Sequence, residues 1–375
     1  MRLREVGAAA ALCLGLAAMN AHADQIDYSA YPYSAFSENR PTKVATTAFS
    51  LVKTLFEKTR VMLDIELDQT TDAPLESDGT TGASRPARQS KSSFLKNRGQ
   101  IIAGVQRDLF GNTEVSGSYY FSQEVDYSSQ SVVGGLTQYF AEKNFTIELT
   151  GQYQMDSVGE IRDDGSLLNR GKEVHKASLR ITQLLSPVSF VRMGVDGQRD
   201  HGFLSDPYRK SIQGKDTIQE RVPSMRFRSA GWIECDRFLT TLAASWSVEY
   251  RYAFDDWNLA SHMLWFKFNK YITPDWILTT QYRYYIQSGI DFGDYAAGNP
   301  GYYFAPDDPK LKDGEYHFIG LGVTCYLRAF CRNHPTWDFL RRTSAALKYS
   351  RYFNDAAAEN AYAGNLLESR LSFEF

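Results

Sequence analysis

The sequence predicts an all-β fold: a transmembrane antiparallel up-and-down β-barrel of about 14 strands (a range of about 12 to 16), with a short N-terminal helical segment. Three features of the chain indicate this class. Apolar and polar residues alternate in segments of about ten residues, the connections between segments alternate between short and long, and the last segment is amphipathic.

Strict alternation is the strongest of these signals. Between residues 145 and 155, odd positions carry apolar side chains such as Ile147 and Leu149, whereas even positions carry polar ones such as Glu148. Because successive side chains of a strand point to opposite faces, such a segment has one apolar and one hydrophilic face. About 14 segments follow this pattern, near residues 60–69, 98–108, 113–123, 130–140, 145–155, 174–184, 189–198, 223–234, 239–254, 257–270, 275–287, 315–327, 338–352 and 365–375.

A soluble β-sandwich and a membrane barrel could both be built from such strands. A sandwich buries the apolar faces against each other, whereas a barrel turns them to lipid and encloses the polar faces. Segment length favours the barrel, because about ten residues tilted by roughly 45° span about 23 Å, close to the apolar band of outer-membrane barrels. Strands of soluble proteins usually have about five or six residues.

The connections favour the same class. Outer-membrane barrels have short periplasmic turns and long outer loops, and short and long connections alternate along most of this chain. Two connections depart from the pattern, since 255–256 is short for an outer loop and 328–337 is long for an inner turn. The tight turns lie at 110–112, 142–144, 186–188, 235–237 and 273–275, and the long spans at 71–97, 156–173, 199–222 and 289–314.

The beginning of the chain predicts its compartment. Residues 1–23 combine early arginines, a short apolar stretch and the sequence Ala21-His22-Ala23, which is typical of a secretory signal peptide cleaved after Ala23. We therefore expect the mature protein in the outer membrane of a Gram-negative bacterium, in contact with its lipid. The formal net charge of -3 gives no indication of a nucleic-acid partner.

The last segment resembles a terminal barrel strand. Leu371, Phe373 and Phe375 alternate with polar residues, and Phe375 ends the sequence. A closing strand that ends in Phe is similar to the signal recognised by the bacterial barrel-assembly machinery, so we expect that machinery as a partner.

A short amphipathic helix is predicted before the first alternating segment. Val44, Ala48, Leu51, Val52 and Leu55 fall on one helical face. Residues 24–59 are therefore expected to be a periplasmic or plug segment, followed by the barrel over 60–375.

The hydrophilic strand faces contain the candidate functional residues. If the apolar faces meet lipid, charged side chains line the lumen, where they can select ions and polar solutes or simply neutralise one another. The leading hypothesis is a porin-like channel for small polar or charged solutes, and the alternative is a plugged structural barrel that docks a periplasmic or surface partner. The lumen-lining candidates are Glu148, Lys176, Arg180, Arg192, Asp196, Glu249, Arg251 and Arg283.

Signals for catalysis or cofactors are weak. The sequence has no C-x-x-C-H haem motif, P-loop or H-E-x-x-H motif, so no cofactor or metal is expected. Cys325 and Cys331 are close enough in sequence to pair in an oxidising compartment, which leaves their disulfide an open question. An outer-membrane lipase or protease is an unfavoured third hypothesis, for which His262 near Asp255 and Asp256 is the nearest candidate set.

Three stretches resemble a poorly characterised, porin-like family of bacterial outer-membrane proteins, known chiefly as a domain of unknown function. They are residues 202–209 (GFLSDPYR), Tyr250-Arg251-Tyr252 with Asp255-Asp256-Trp257, and Tyr282-Arg283-Tyr284-Tyr285 with Gln287. The resemblance implies a barrel in the outer membrane and supplies no catalytic residue. Within it, Pro207-Tyr208 is expected to form a turn in an outer loop, Arg251 and Arg283 to be lumen charges, and Trp257 to anchor the barrel at the membrane interface.

Overall fold

A computed structural model describes most of the chain as one closed β-barrel. The predicted signal peptide and Phe375 lie outside the described residues. These are 25–37, 40–56, 58–71, 95–161, 166–207, 210–213, 216–290, 304, 306, 308–332, 340–354 and 362–374.

The wall has 16 antiparallel strands, and two further strands form a separate hairpin. A single α-helix, α1 (Arg328–Arg332), is found in the described part of the chain. The wall strands are β1 (Gln25–Ser37), β2 (Arg40–Leu55), β3 (Thr59–Thr71), β4 (Leu95–Asp108), β5 (Thr113–Gln123), β6 (Tyr127–Phe140), β7 (Phe145–Ile161), β8 (Leu167–Ser186), β9 (Ser189–Gly202), β12 (Met225–Leu239), β13 (Ala244–Asp255), β14 (Ala260–Thr273), β15 (Trp276–Gln287), β16 (Gly314–Tyr326), β17 (Ser344–Asn354) and β18 (Tyr362–Glu374); the hairpin strands are β10 (Lys210–Gln213) and β11 (Asp216–Gln219).

Each wall strand pairs with its neighbour in sequence, and the last strand pairs with the first. Gln25 faces Glu374 and Ser37 faces Tyr362, so the β1–β18 ladder runs the whole length of both strands. On the inner side of this seam the Arg370 guanidinium forms an ion pair with the Asp27 carboxylate. Closure leaves no sheet edge in the wall, which is the condition for a sheet to cross a lipid bilayer.

The connections divide between two rims. At the turn rim lie the short connections 109–112, 141–144, 187–188, 240–243 and 274–275, together with both ends of the described chain. At the loop rim β3 ends and β4 begins, β9 ends and β12 begins, and β15 ends and β16 begins, and these pairs of strands are far apart in sequence. The two irregular connections fit this division, since 256–259 is a short loop-rim connection and 327–343, with α1, a long turn-rim one.

The two faces of the wall differ in crowding, which identifies the inside. Side chains converge on the concave face of a closed sheet, so buried strand residues belong there. Apart from Ile26 and Ala244 near the turn rim and Gly159 near the loop rim, the buried strand residues are on the polar face, and examples are Ser122, Ser131, Asp156, Val174, Asp200, Gln281 and Ser350. The apolar face is exposed and convex, with Leu149, Val195, Leu264, Ile319 and Leu347 between 45% and 57% accessible.

Aromatic side chains on the convex face lie mostly towards the strand ends. Trp276 is exposed beside the turn rim, whereas Tyr252 and Phe254 are exposed near the loop rim. Rings at these levels match the two headgroup regions of a bilayer. No helix among the described residues is long and apolar enough to cross a membrane.

The N-terminal prediction is wrong. Residues 24–59 are not a helical periplasmic or plug segment, because the described residues from 25 to 55 form β1 and β2. Val44, Leu51 and their neighbours pair with β1 on one side and β3 on the other. The wall therefore has two more strands than the 14 counted from the sequence, and each of those 14 segments overlaps one strand of the structure.

The assignment of the convex face to lipid and the concave face to the interior can be tested at two adjacent positions of β7. Leu149→Arg places a charge on the convex face and is expected to lower the free energy of unfolding by up to about 4 kcal/mol in a lipid bilayer, whereas Thr150→Arg on the concave face is expected to cost little. Denaturant unfolding in lipid vesicles measures both. Equal losses for the two variants would contradict the assignment of the faces, and a larger loss for Thr150→Arg would show that the faces are reversed.

Candidate functional site: the lumen face

The concave face of the wall, called the lumen face below, carries the charged side chains that the sequence singled out. Strand register places all eight candidates on this face. Three of the four arginines have carboxylate partners at direct contact distance. These pairs are Arg180 with Glu148 at 2.9 Å, Arg192 with Glu234 at 3.0 Å and Arg251 with Asp196 at 2.6 Å.

The Arg251–Asp196 pair spans two ladders. Asp196 lies on β9 and Arg251 on β13, with β12 between them. The residue opposite Asp196 on β12 is Ala230, whose small side chain leaves room for the guanidinium to cross. The ion pair therefore ties three adjacent strands together on the lumen face.

The other three candidates have no opposite charge within 4 Å in the described part of the chain. Glu249 is directly opposite Glu234, so two carboxylates meet at one register position. Arg283 is surrounded by aromatic rings, and Lys176 lies opposite Gln152 and Gln198. Cross-strand ion pairing thus neutralises only part of the lumen charge.

Further charged groups on the lumen face were missed by sequence reasoning. Arg98 donates to the Tyr120 hydroxyl at 2.6 Å and lies 3.6 Å from Asp68, and Lys348 is 2.5 Å from Glu368. The alternation that located the other candidates was available for these residues too. What the sequence could not supply was the pairing between strands.

A compact polar clasp closes the β13–β14 connection at the loop rim. One oxygen of Asp255 accepts hydrogen bonds from the backbone N–H groups of Trp257 and Leu259, each at 2.9 Å, and the other accepts from Arg226 Nε at 2.8 Å. The Arg226 guanidinium also lies 4.4 Å from the Trp257 ring centre. The Asp255 side chain is almost fully buried.

The clasp corrects the prediction for Trp257. Its side chain is 6% exposed, and its indole N–H donates to the Met225 carbonyl at 3.0 Å. It is therefore buried in the clasp and does not anchor the barrel at the membrane interface.

Residues 202–209, another of the three stretches that carry the family resemblance, form the start of the long connection after β9. Gly202 has φ +110°, and a Cβ there would lie 2.5 Å from the Gly171 carbonyl oxygen. The backbone N–H of Asp206 donates to the buried Glu220 carboxylate at 2.8 Å. The side chain of Tyr208, predicted to form a turn with Pro207, lies outside the described residues.

The candidate hydrolase set does not converge. His262 is on the convex face, where its Nδ1 lies 2.8 Å from the Tyr250 hydroxyl, whereas Asp255 is turned into the clasp. No group of three His, Cys, Asp or Glu side chains in the described ranges could hold a metal ion. Cys235, Cys325 and Cys331 are free thiols.

At the turn rim, α1 is held to a neighbouring turn. Arg328 donates to the Asp275 carboxylate and to the Pro274 carbonyl. The hydrogen bond to Asp275 raises the pKa of Arg328, because the carboxylate stabilises the charged guanidinium. It fixes the long 327–343 connection beside the β14–β15 turn.

Comparisons with known proteins agree with the barrel. A family model described as "Protein of unknown function (DUF3570)" matches residues 5–298, which include all three stretches noted in the sequence. A comparison with curated protein sequences gives no match.

Solved structures show a likeness of fold. CdiB from Acinetobacter baumannii aligns with 93% of this chain and 60% of its own at 8% identity, with a TM-score of 0.52. The ferric enterobactin receptor PfeA from Pseudomonas aeruginosa aligns with 90% of this chain at 12% identity and a TM-score of 0.48, and this chain spans 54% of the receptor's length. A bacterial polysaccharide outer membrane secretin aligns with 94% of this chain and 99% of its own at 9% identity and a TM-score of 0.49. At such identities the likeness concerns the fold alone.

The clasp provides a test with an adjacent control. Asp255→Ala leaves Arg226 without its buried carboxylate and two backbone N–H groups without their acceptor, so the free energy of unfolding is expected to fall by about 3–5 kcal/mol. Asp256→Ala removes one exposed acceptor, used by the Phe227 N–H, and is expected to cost about 1 kcal/mol. Thermal and denaturant unfolding of the refolded barrels would measure both. Similar small losses would mean that the clasp does not stabilise the loop rim.

Proposed function

We propose that this chain, which belongs to the DUF3570 family of proteins of unknown function, is an outer-membrane channel for small polar and charged solutes. The observation that carries the proposal is the exposed fraction of the charged side chains on the lumen face. The side chains of Arg180, Arg192 and Arg251 are 47%, 35% and 35% exposed although each is paired with a carboxylate.

Exposure of this size indicates a lumen wide enough for water. In small barrels the inward side chains fill the interior and bury one another, whereas barrels of about 16 strands enclose an aqueous channel. This wall has 16 strands, and the three paired arginines of its lumen face keep a third or more of their side-chain surface accessible. Charged side chains at such positions let ions and polar solutes exchange their hydration for contacts with the wall.

The convex face supports location in an outer membrane. Its exposed leucine, valine and isoleucine side chains would be unfavourable in water over so large an area, and lipid removes that cost. A signal peptide at 1–23 and delivery to the barrel-assembly machinery through the strand that ends in Phe375 belong to this proposal, as does a Gram-negative host.

Charge on the lumen face suggests weak ion selectivity. Three of the eight candidates are acidic and five are basic, and the paired ones cancel locally. Acidic and basic side chains occur together around the wall, so neither cations nor anions meet a ring of one sign.

Conductance is the direct test. Purified, refolded protein in planar lipid bilayers is expected to give stable single-channel steps in simple salt. A protein that inserts and folds yet stays closed at all voltages would contradict the channel. That outcome would favour the alternative, a plugged barrel for docking a partner, in which the plug cannot be the segment 44–55 because this segment is part of the wall.

Glu249, which lies opposite Glu234 and has no cation within 4 Å in the described part of the chain, gives a second test. Glu249→Gln removes a charge from the lumen face, so the anion-to-cation permeability ratio is expected to rise about twofold at low salt and less at high salt, where screening is stronger. Glu173→Gln, on the convex side of β8, is the matched control and should leave the ratio unchanged. The ratio follows from reversal potentials in a salt gradient, and equal shifts for both variants would contradict the assignment.

A further inference from the structure

We infer that the lumen face of β14 to β17 binds carboxylate solutes that carry a ring, at a site centred on Arg283. The inference rests on the proposed function and names the solute class that the channel would select. The residues of this Arg283 site are Trp265, Lys267, Gln281, Arg283, Phe318 and Tyr352.

Arg283 differs from the other arginines proposed for the lumen. Its guanidinium carbon lies 5.2 Å from the ring centre of Phe318, 5.7 Å from that of Tyr352 and 5.9 Å from that of Trp265. No carboxylate lies within salt-bridge distance of it in the described ranges, whereas Arg180, Arg192 and Arg251 all have one. Aromatic faces stabilise a guanidinium without neutralising its charge. One donor of Arg283 is used by the Tyr352 hydroxyl, and the others can pair with an external anion.

The groups around Arg283 are also donors. Lys267 Nζ lies 3.6 Å from the Trp265 ring centre and, like Arg283, has no carboxylate within 4 Å in the described part of the protein. The Trp265 indole nitrogen and the Gln281 amide nitrogen are buried and have no acceptor there. Register places Trp265 opposite Arg283 and Lys267 opposite Gln281, so four donors share one block of the β14–β15 ladder. The two nitrogens have almost no accessible surface, so the half-buried Arg283 and Lys267 are the donors that a solute contacts, and both favour a ligand that supplies acceptor oxygens.

A glycine makes room for this arrangement. Gly320 is opposite Gln281, and a Cβ at position 320 would lie 2.5 Å from the Gln281 amide nitrogen and 2.7 Å from its Cγ. Gln281 can therefore occupy the space above β16, where it is 7% exposed. The local sequence thus accommodates a buried amide at the centre of the site.

The chemistry around the site defines the solute. A carboxylate pairs with the guanidinium, and a flat or ring-shaped apolar body packs against the half-buried rings of Trp265 or Tyr352, while Phe318 lies buried behind them. Glu249 is opposite Trp265 and borders the site on β13. Its negative charge disfavours a second carboxylate, so ring compounds with a single acid group are the expected class, either aromatic acids or acidic sugars.

Binding can be measured independently of conduction. The folded wild-type protein in detergent is titrated calorimetrically with four compounds. Benzoate and glucuronate have a ring and a carboxylate, acetate has a carboxylate without a ring, and benzylammonium has a ring with a positive charge. We expect at least one of the two ring acids to bind more tightly than acetate, and benzylammonium not to bind. Binding of acetate as tightly as the tighter ring acid, or binding of benzylammonium, would overturn the site.

Two variants locate the binding. Arg283→Gln is expected to weaken binding of the ring acid about tenfold or more, as the loss of a charged hydrogen bond implies. Arg370→Gln also removes one charge from the lumen face. Arg370 pairs with Asp27 and lies on β18, outside the Arg283 site, so the binding affinity should stay within about twofold of wild type. Equal losses for the two variants would overturn the site. Unfolding curves confirm that both variants are folded.

The site and the channel can fail separately. If the protein conducts and benzoate and glucuronate bind no better than acetate, the site is wrong and the channel stands. If ring acids bind with the Arg283 dependence but no current flows, the site stands and the channel is wrong. Brief current interruptions by the bound acid, absent in Arg283→Gln, would support both.

Discussion

Backbone hydrogen bonding governs this molecule, because a sheet in hydrocarbon must pair every strand on both edges. The ladder between β1 and β18 completes that pairing, and it keeps one register from Gln25 to Ser37 with an interruption at Tyr31 and Pro32. The alternation of side chains then follows from the sheet itself. One face meets the surroundings and the other meets the enclosed space, and curvature decides which of them is crowded.

Curvature also explains why charge is organised as it is. On the lumen face, side chains of neighbouring strands are brought towards each other, so opposite charges at facing register positions, such as Glu148 and Arg180, form direct contacts. Where the facing residues are rings, as around Arg283, a cation is held without being neutralised. The same geometry thus produces stretches of the wall where opposite charges neutralise each other and a stretch where a cation has no opposite charge beside it.

Sequence reasoning was reliable where the alternation was strong. Segments such as 113–123 and 145–155 became β5 and the first part of β7, because their faces differ sharply in polarity. It failed for β1 and β2. Pro32 argues against a central strand, and Val44, Ala48 and Leu51 repeat with helical spacing, so only pairing with neighbours on both sides makes these segments strands.

The candidate site was predictable in part for the same reason. Alternation alone places Arg283 and Arg251 on the hydrophilic face, as the sequence analysis expected. It does not show that Arg251 meets Asp196 across two ladders or that Arg283 meets three rings, since these depend on register between distant segments. Trp257 was misjudged because its neighbour in space, Arg226, is remote in sequence.

The start of β1 and the end of β18 lie side by side at the turn rim. The barrel therefore does not require that β1 be the first strand of the covalent chain. The covalent chain could be opened at another tight connection of that rim, such as the one containing Gly111, and Gln25 joined to Glu374 by a short linker. Every ladder of the wall would remain. A circularly permuted gene could therefore encode the same barrel, with any of several strands as its first.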